Sequence, residues 1–322
     1  MPITPLNNKL TLLICQKIIT ETADVKTFIF SLSKPLNFIA GQHLKFTLMI
    51  NGKKHPCCYT LSSAPGDTEY ISITIKRIPD GIASNYFHDH FAVGNTIKAQ
   101  APSGDFHLPE SIPNKILLLS AGSGITPMLS MLRFMVATQV KNQIIFFHSA
   151  RTEHDLIAKA EIETLAKQHG NCQIVYTLTQ ASSAQWRGYQ GRMSKNMVAN
   201  IAKLIDHNVF VCGPKSFRQT AQKLLREFGL KRENYHYESF GERSATQEVT
   251  PQRQTNQFIK TKINLHFSKW QKNYVGNTKE TLLEQGEAAG LILPYSCRGG
   301  CCGSCKAKLI KGEVKELSKD GL

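Results

Sequence analysis

No apolar run in the sequence exceeds strand length. The longest, such as Ile116-Leu117-Leu118-Leu119 and Ile144-Ile145-Phe146-Phe147, fall far short of the ~20 residues a spanning helix needs, so no membrane span is expected. The start, Met1-Pro2-Ile3-Thr4-Pro5-Leu6-Asn7, has no basic stretch ahead of an apolar core; no export signal is read, and a cytoplasmic protein is expected. Acidic residues are scarce beside basic ones, 24 against 39, for a formal net charge of +15. The excess is scattered through every region, without a basic stripe interleaved with aromatics, which argues against nucleic acid as a partner. Steering of acidic proteins or phosphate-bearing ligands suits it better. Internal repeats and low-complexity tracts are absent, and no cysteine follows Cys305.

What the chain does have is a crowd of cysteines near its end. Cys297, Cys301, Cys302 and Cys305 are four of its nine, set among Gly299, Gly300, Gly303 and Ser304. Without an export signal the compartment is reducing, where clustered cysteines point to metal or redox work rather than a disulfide. Zinc would want a second ligand pair, and the nearest histidine, His266, has no paired ligand. The C-x4-C-x2-C spacing of Cys297, Cys302 and Cys305 resembles that of plant-type ferredoxins. The resemblance implies three thiolate ligands to a 2Fe-2S cluster, with the small residues turning backbone N–H groups toward its sulfurs. In such ferredoxins the fourth ligand lies roughly thirty residues beyond the third. Cys301, adjacent to Cys302, is a poor substitute, so the expectation is a sequence that stops inside its ferredoxin domain. If Leu322 is the true terminus, electron flow is expected to end before a cluster.

At 322 residues the chain has room for two or three domains. From Leu10 to about Pro109, short β-rich runs alternate with turn residues: Leu10–Ile19, Val25–Leu32, Leu44–Ile50, Tyr70–Arg77 and Thr96–Ala99. Their spacing predicts a small antiparallel β-barrel. His88-Asp89-His90 invites a metal assignment, but residues two apart on a helix point in different directions and a lone aspartate completes no site.

From about Pro113 the rhythm becomes α/β, predicting a doubly wound parallel sheet. The apolar strand Lys115–Ser120 runs into Ala121-Gly122-Ser123-Gly124-Ile125-Thr126-Pro127, where Thr126 is expected to cap the next helix and Pro127 to take its first position. Gly122 and Gly124 let a pyrophosphate approach the loop backbone and the helix's positive end. Strand Gln143–His148, helix Asp155–His169, strand Gln173–Leu178, a helix after Gly191-Arg192-Met193, and strand Asn208–Cys212 continue the alternation, with Tyr235–Phe240 as the last strand. Polar, Pro-containing residues 243–257 read as a tether. Beyond it, Phe258–Phe267 and Lys272–Val275 suggest a hairpin, Asn277 with Glu280 a helix cap, Gly290 the helix end, and Lys306–Ile310 and Glu313–Lys315 further strand.

Cys58-Tyr59-Thr60-Leu61-Ser62-Ser63, Gly81-Ile82-Ala83-Ser84, Gly122 to Pro127, Cys212-Gly213-Pro214 and Glu238-Ser239-Phe240 together resemble, in content and order, the ferredoxin–NADP reductase superfamily. With the cysteine loop, they resemble its flavin/iron–sulfur members that end in a ferredoxin domain, such as hybrid-cluster-protein reductases and reductase components of oxygenases and desaturases. The resemblance implies an FAD-binding β-barrel over 1–110, an NAD(P)-binding α/β domain over 111–242, and an α+β, β-grasp ferredoxin-like domain over 258–322. It implies an oxidoreductase passing electrons from NADH or NADPH through FAD and 2Fe-2S to a redox partner protein, the chain itself being a monomer.

The resemblance also carries residue roles. Tyr59 stacks on the flavin ring, Thr60 bonds near its reactive nitrogen, Ser62 and Ser63 line the cofactor's path, and Gly81 and Ser84 receive the pyrophosphate. The motif's arginine, two residues before the tyrosine, is Cys57 here, with Lys53, Lys54, His55 or Arg77 as the cations that can compensate in part, and Lys76 and Arg77 read as cofactor-binding. On the dinucleotide side stand Gly122, Gly124, Thr126 and Pro127. Cys212, Gly213, Pro214 and Glu238 surround the nicotinamide, and Phe240 shields the ring. Arg151 can pair with a 2′-phosphate, and no acidic residue is expected at its turn to hold a bare ribose, yet NADH-using relatives carry an arginine there too, so the donor stays open. Two other readings stand beside this one: a flavin reductase or diaphorase without a working cluster, and a non-enzymatic structural protein.

Overall fold

The computed structural model describes residues 10–67, 69–180, 183–201, 206–240, 262–278, 280–291, 293, 305 and 307–314. The expected tether and the expected ligands Cys297 and Cys302 lie outside these residues. The chain divides into two compact units, Met1–Glu238 and Ser239–Leu322.

The first half of the first unit is a six-stranded antiparallel sheet. Its strands are β1 (Thr11–Thr22), β2 (Val25–Leu32), β3 (His43–Ile50), β4 (Lys53–Thr60), β5 (Tyr70–Lys76) and β6 (Thr96–Ala99), in the order β4-β3-β6-β1-β2-β5. A bridge between Leu61 and Ile73 brings the two outer strands together, curling the sheet into a barrel. Alternate residues of the strands point inward. Phe28, Phe30, Phe46, Leu44, Leu61 and Ile73 meet there with Phe87 of α1 (Ile82–His90), all essentially buried. β4 is the element the sequence does not announce, since Lys53-Lys54-His55-Pro56 carries two charges and a proline. As an outer strand paired only to β3, it tolerates the missing N–H of Pro56.

The second half is a parallel sheet in the order β10-β9-β8-β7-β11-β12, built from β7 (Lys115–Ala121), β8 (Gln143–Ala150), β9 (Cys172–Leu178), β10 (Tyr189–Gln190), β11 (Asn208–Cys212) and β12 (Tyr235–Glu238). The helices are α2 (Ile125–Ala137), α3 (Lys159–His169), α4 (Lys195–Asn200) and α5 (Lys215–Glu227). Burial on both faces explains the unbroken apolar runs. Leu117, Leu119, Ile145, Phe147, Val209 and Val211 pack on one side against Val198 of α4 and Ala221 and Leu225 of α5.

Several boundaries differ from expectation. The helix expected over Asp155–His169 starts only at Lys159: Thr152 and Asp155 form a capping box around a separate 3-10 turn, and Ala158 takes a left-handed φ of 53°. Thr126 does not cap α2. A 3-10 turn over Gly122–Gly124 feeds the helix directly, Gly124 occupies the cap position, and the Thr126 hydroxyl donates to Ser123 O at 3.2 Å. The last strand stops at Glu238 instead of Phe240.

In the second unit, β13 (Lys262–Phe267) and β14 (Lys272–Asn277) form the expected hairpin, followed by α6 (Leu282–Ala288). Asn277 Oδ1 does accept from Glu280 N at 3.1 Å, but the cap is Thr281 with Glu284 in a capping box. Gly290, at φ 83°, follows the helix end. Residues 307–310 and 313–314 are not strand, contrary to expectation; their β-prone side chains find no ladder among the described residues. Among the described residues, no helix is long and apolar enough to cross a membrane.

Candidate active site at the junction of the two sheets

β4 delivers Tyr59 and Thr60 to the end of the barrel. The Tyr59 ring packs edge-on against Phe87, with centroids 5.4 Å apart, and burial pushes its hydroxyl pKa well above the usual value. Thr60 is buried, and its Oγ1 has no hydrogen-bond partner among the described residues. An orphaned hydroxyl costs about 1–3 kcal/mol unless something supplies a partner, so it marks a place prepared for a bound group. Beyond it, the Ser62 hydroxyl lies 2.9 Å from that of Ser72 and accepts from Thr74 at 2.9 Å, while Ser63 Oγ accepts from Ser72 N at 3.1 Å. Both expected path-lining hydroxyls are thus engaged by β5.

At the start of α1, Gly81 holds the cap position without a side-chain cap, and the Ser84 hydroxyl accepts from Ile78 N at 3.1 Å. Nearby cations are already matched. Lys76 meets Asp24 at 3.1 Å, and Arg77 grips both oxygens of Asp89. His88 turns away from Asp89, its Nε2 lying 3.0 Å from Ile75 O. Cys57 is half-buried against the barrel core, and burial lifts its thiol to about 12, so it brings no charge to the position where the family motif has arginine.

On the other side, β7 ends in the Gly122–Gly124 turn and α2. Gly124 has to be glycine for a reason of space, because a Cβ there would run into the backbone carbonyl of Cys212 and lie 2.6 Å from Gly213 N. The loop expected to carry pyrophosphate and the Cys212-Gly213-Pro214 loop are therefore locked together. Cys212 is fully buried; burial, and then the neighbouring Glu238, hold its thiol pKa far up, so it is a neutral packing group rather than a nucleophile.

Strand register joins these pieces. Glu238 stands opposite Cys212 in the parallel ladder, and Thr60 stands opposite His43 in the β3–β4 pair. His43 Nδ1 and Glu238 Oε1 approach to 3.9 Å, both side chains almost entirely buried, and His43 Nε2 lies 3.3 Å from Ser103 Oγ. Burial, reinforced by Lys45, lowers His43 to about 4, so its ring is neutral at pH 7. Register thus sets Thr60 opposite His43 and Cys212 opposite Glu238, and the approach of His43 to Glu238 joins the two pairs; sequence reasoning missed His43, whose buried register opposite Thr60 reveals it. Phe240, half-buried, lies past the division between the two units.

Arg151 differs from expectation. Acidic residues do sit beside it: its Nη2 donates to Asp155 at 2.9 Å and to Asp24 at 3.3 Å. Asp155 was hidden by its reading as helix, and Asp24 is distant in sequence, on the β1–β2 turn. Of the expected cluster ligands, Cys305 stands half-buried at a turn.

An orphaned hydroxyl at the barrel end and a glycine-lined helix start fit a flavin and a dinucleotide. The comparisons agree. Residues 13–108 match the oxidoreductase FAD-binding domain, 118–223 the oxidoreductase NAD-binding domain and 269–322 the 2Fe-2S iron-sulfur cluster binding domain. The glycine betaine monooxygenase reductase subunit of Chromohalobacter salexigens is 33% identical, over 96% of this chain and 87% of its own length. A ferredoxin reductase component of 3-ketosteroid-9-alpha-monooxygenase from Rhodococcus rhodochrous is 29% identical over 99% and 91%. Phthalate dioxygenase reductase shares the fold, with a TM-score of 0.67 and 23% identity over 99% of this chain and 93% of its own. The chain belongs to the ferredoxin–NADP reductase-type oxidoreductases that carry a 2Fe-2S domain, enzymes that pass electrons from NAD(P)H through FAD to an iron–sulfur cluster.

Proposed function

We propose that this chain is the NADH-using reductase component of an oxygenase, with the line Thr60–His43–Glu238–Cys212 as its hydride-transfer site. The observation that carries the site is the buried Thr60 hydroxyl, left without a partner among the described residues where barrel and parallel sheet meet. Bound FAD supplies the conversion of one hydride into two single electrons, which neither a nicotinamide nor an iron–sulfur cluster performs alone. With FAD bound, Thr60 would offer its hydroxyl to the flavin, Tyr59 would supply an aromatic wall, and Gly81 with Ser84 would open α1 toward the pyrophosphate. Gly122, Gly124 and Thr126 present backbone N–H groups and the positive end of α2 to the dinucleotide, while Pro127, which has no N–H, stiffens the first turn of the helix. Cys212, Gly213, Pro214 and Glu238 wall the nicotinamide. The neutral Cys212 thiol and the close Gly124 backbone keep water out where the hydride passes. Cys297, Cys302 and Cys305 hold the cluster. The domains are 1–110, 111–242 and 258–322, joined by 243–257.

NADH is the preferred donor because the Arg151 guanidinium is shared between Asp24 and Asp155, which offsets the charge a 2′-phosphate needs. The oxygenase partner rests on the relatives, which are named as reductase subunits of monooxygenases. Anaerobic titration of the purified protein with NADH and NADPH tests the core of the reading. Bleaching of a band near ~450 nm, the region of oxidised flavin absorption, is expected at lower NADH than NADPH. Protein that holds neither flavin nor iron would sink it. Electron delivery to a purified oxygenase component, against delivery to free ferredoxin, tests the partner.

A further inference from the structure

Helix α2 touches both halves of the site. Its first turn grows out of Gly122–Gly124, and one turn further along, two side chains three residues apart reach back to the barrel. Ser130, fully buried, donates to Ser63 O at 2.7 Å, and Arg133 Nη1 donates to Ser62 O. The remaining donors of Arg133 are fixed as well: Nε and Nη2 bind the two oxygens of Glu161 on α3 at 2.8 and 2.7 Å. This bidentate pairing sets the plane of the guanidinium, so that Nη1 is aimed at the Ser62 carbonyl. The segment it meets is held from the opposite side, since β5 takes the Ser62 and Ser63 hydroxyls and Ser72 O accepts from Ser62 N at 2.8 Å. Ser62 is two residues from Thr60.

We infer that Ser130 and Arg133, with Glu161 orienting the latter, are positioning residues for hydride transfer. They key the helix that begins at the dinucleotide loop to the strand end that carries Thr60. Neither residue is assigned to a cofactor. Hydride transfer depends on separation: a displacement of about 1 Å can cost about 100-fold in rate. Two hydrogen bonds to backbone carbonyls constrain that separation, because the carbonyls cannot follow a lost partner as a side chain would. The inference rests on Thr60 facing the flavin.

The test uses the full-length protein and its Ser130→Ala, Arg133→Gln, Ser130→Ala/Arg133→Gln and Arg133→Lys variants. The expected result for the double variant is a fall of about 10- to 100-fold in the single-turnover rate of flavin reduction at saturating NADH. KM for NADH and FAD affinity should stay within about twofold, and the long-wavelength charge-transfer absorbance between nicotinamide and flavin should weaken. Arg133→Lys, which keeps one donor but not the fork, should fall between. In flavin-free protein the Ser62 amide should exchange with solvent faster in the double variant. Reduction rates equal to the parent's, with only a lowered melting temperature or weaker FAD binding, would show that α2 merely glues the domains and overturn the inference. So would an effect confined to KM. Should the Ser130→Ala/Arg133→Gln protein not fold, Ser130→Ala alone, which removes one oxygen, decides by the same readouts. A parent not reduced by NADH defeats the underlying site reading and this inference with it; an intact parent with unaffected variants defeats this inference alone.

Discussion

The two six-stranded sheets of the first unit solve the problem of holding a nucleotide in different ways. Apart from Cys212 and Glu238 at its strand ends, the parallel sheet works through backbone. It brings strand ends, bare glycine backbone and a helix start to one edge, so Gly124 and Gly213 matter for what they lack. The barrel works through side chains on the strands themselves, and Tyr59 and Thr60 matter for the ring and hydroxyl they present. The first kind of site should fail through crowding, the second through lost chemistry.

The largest expected break is Gly124→Ala. The new methyl meets the backbone of Cys212 and Gly213, which cannot rotate aside, so one of the two loops must move. A loss of about 1–3 kcal/mol in stability is expected, with KM for NADH raised at least about tenfold, as a misplaced binding loop implies. Denaturant melts and steady-state kinetics check both. Thr60→Val tests the opposite mode. Because Thr60 Oγ1 has no partner among the described residues, its removal should leave the flavin-free protein as stable as before or slightly more so. Flavin reduction, followed by stopped-flow absorbance, should slow by about 10- to 100-fold, the worth of one oriented donor in the transition state.

Acid acts on both sheets through buried histidines. Burial lowers His43 to about 4 and His148, whose Nδ1 lies 2.8 Å from Ser120 Oγ, to about 3. As pH falls below the ordinary 6.5, the unfolded chain takes up protons that the folded one refuses. Stability present above 6.5 is therefore lost progressively down to the folded values. At pH 5 each site should have cost about 2 kcal/mol, visible as a falling melting temperature between pH 7 and 5. His148→Asn should flatten that slope. The smallest effect is expected for Cys57→Arg. It places a guanidinium where the family motif has one, at some expense in packing against the barrel core. FAD should bind tighter by about tenfold, the scale of one charge-assisted bond, as measured by titration of flavin-free protein.

Legibility followed the same division. Continuous apolar runs such as Ile116–Leu119 read directly as strands of a parallel sheet, and the glycine pairs told where its loops would be. β4 carried the flavin motif yet hid as a strand, because an outer strand owes little to hydrophobic pattern. Glu238 was legible as a residue of the nicotinamide site, but its burial was not, since its neighbour His43 lies nearly two hundred positions away. Asp24 meets Arg151 across 127 positions and Ser62 meets Arg133 across 71, which no local pattern encodes. The Thr281 cap went to the wrong residue because two capping sequences, at Asn277 and Thr281, stand four positions apart.

The bridge between Leu61 and Ile73, with the Ser62 N to Ser72 O bond beside it, closes the barrel past the end of β4, so most of β4 still presents an outer edge. Lys53 and Lys54, both exposed, and Pro56 lie along that edge. A second chain trying to add a strand there would bury two ammonium groups and meet a residue with no N–H to offer. At the far ends of the other sheet, β10 has two residues and β12 four, too few to template an intruder. The polar opening of β4 thus guards a flavoprotein barrel against self-association, and exchanging Lys53 and Lys54 for valine should make it prone to aggregate before it loses its cofactor.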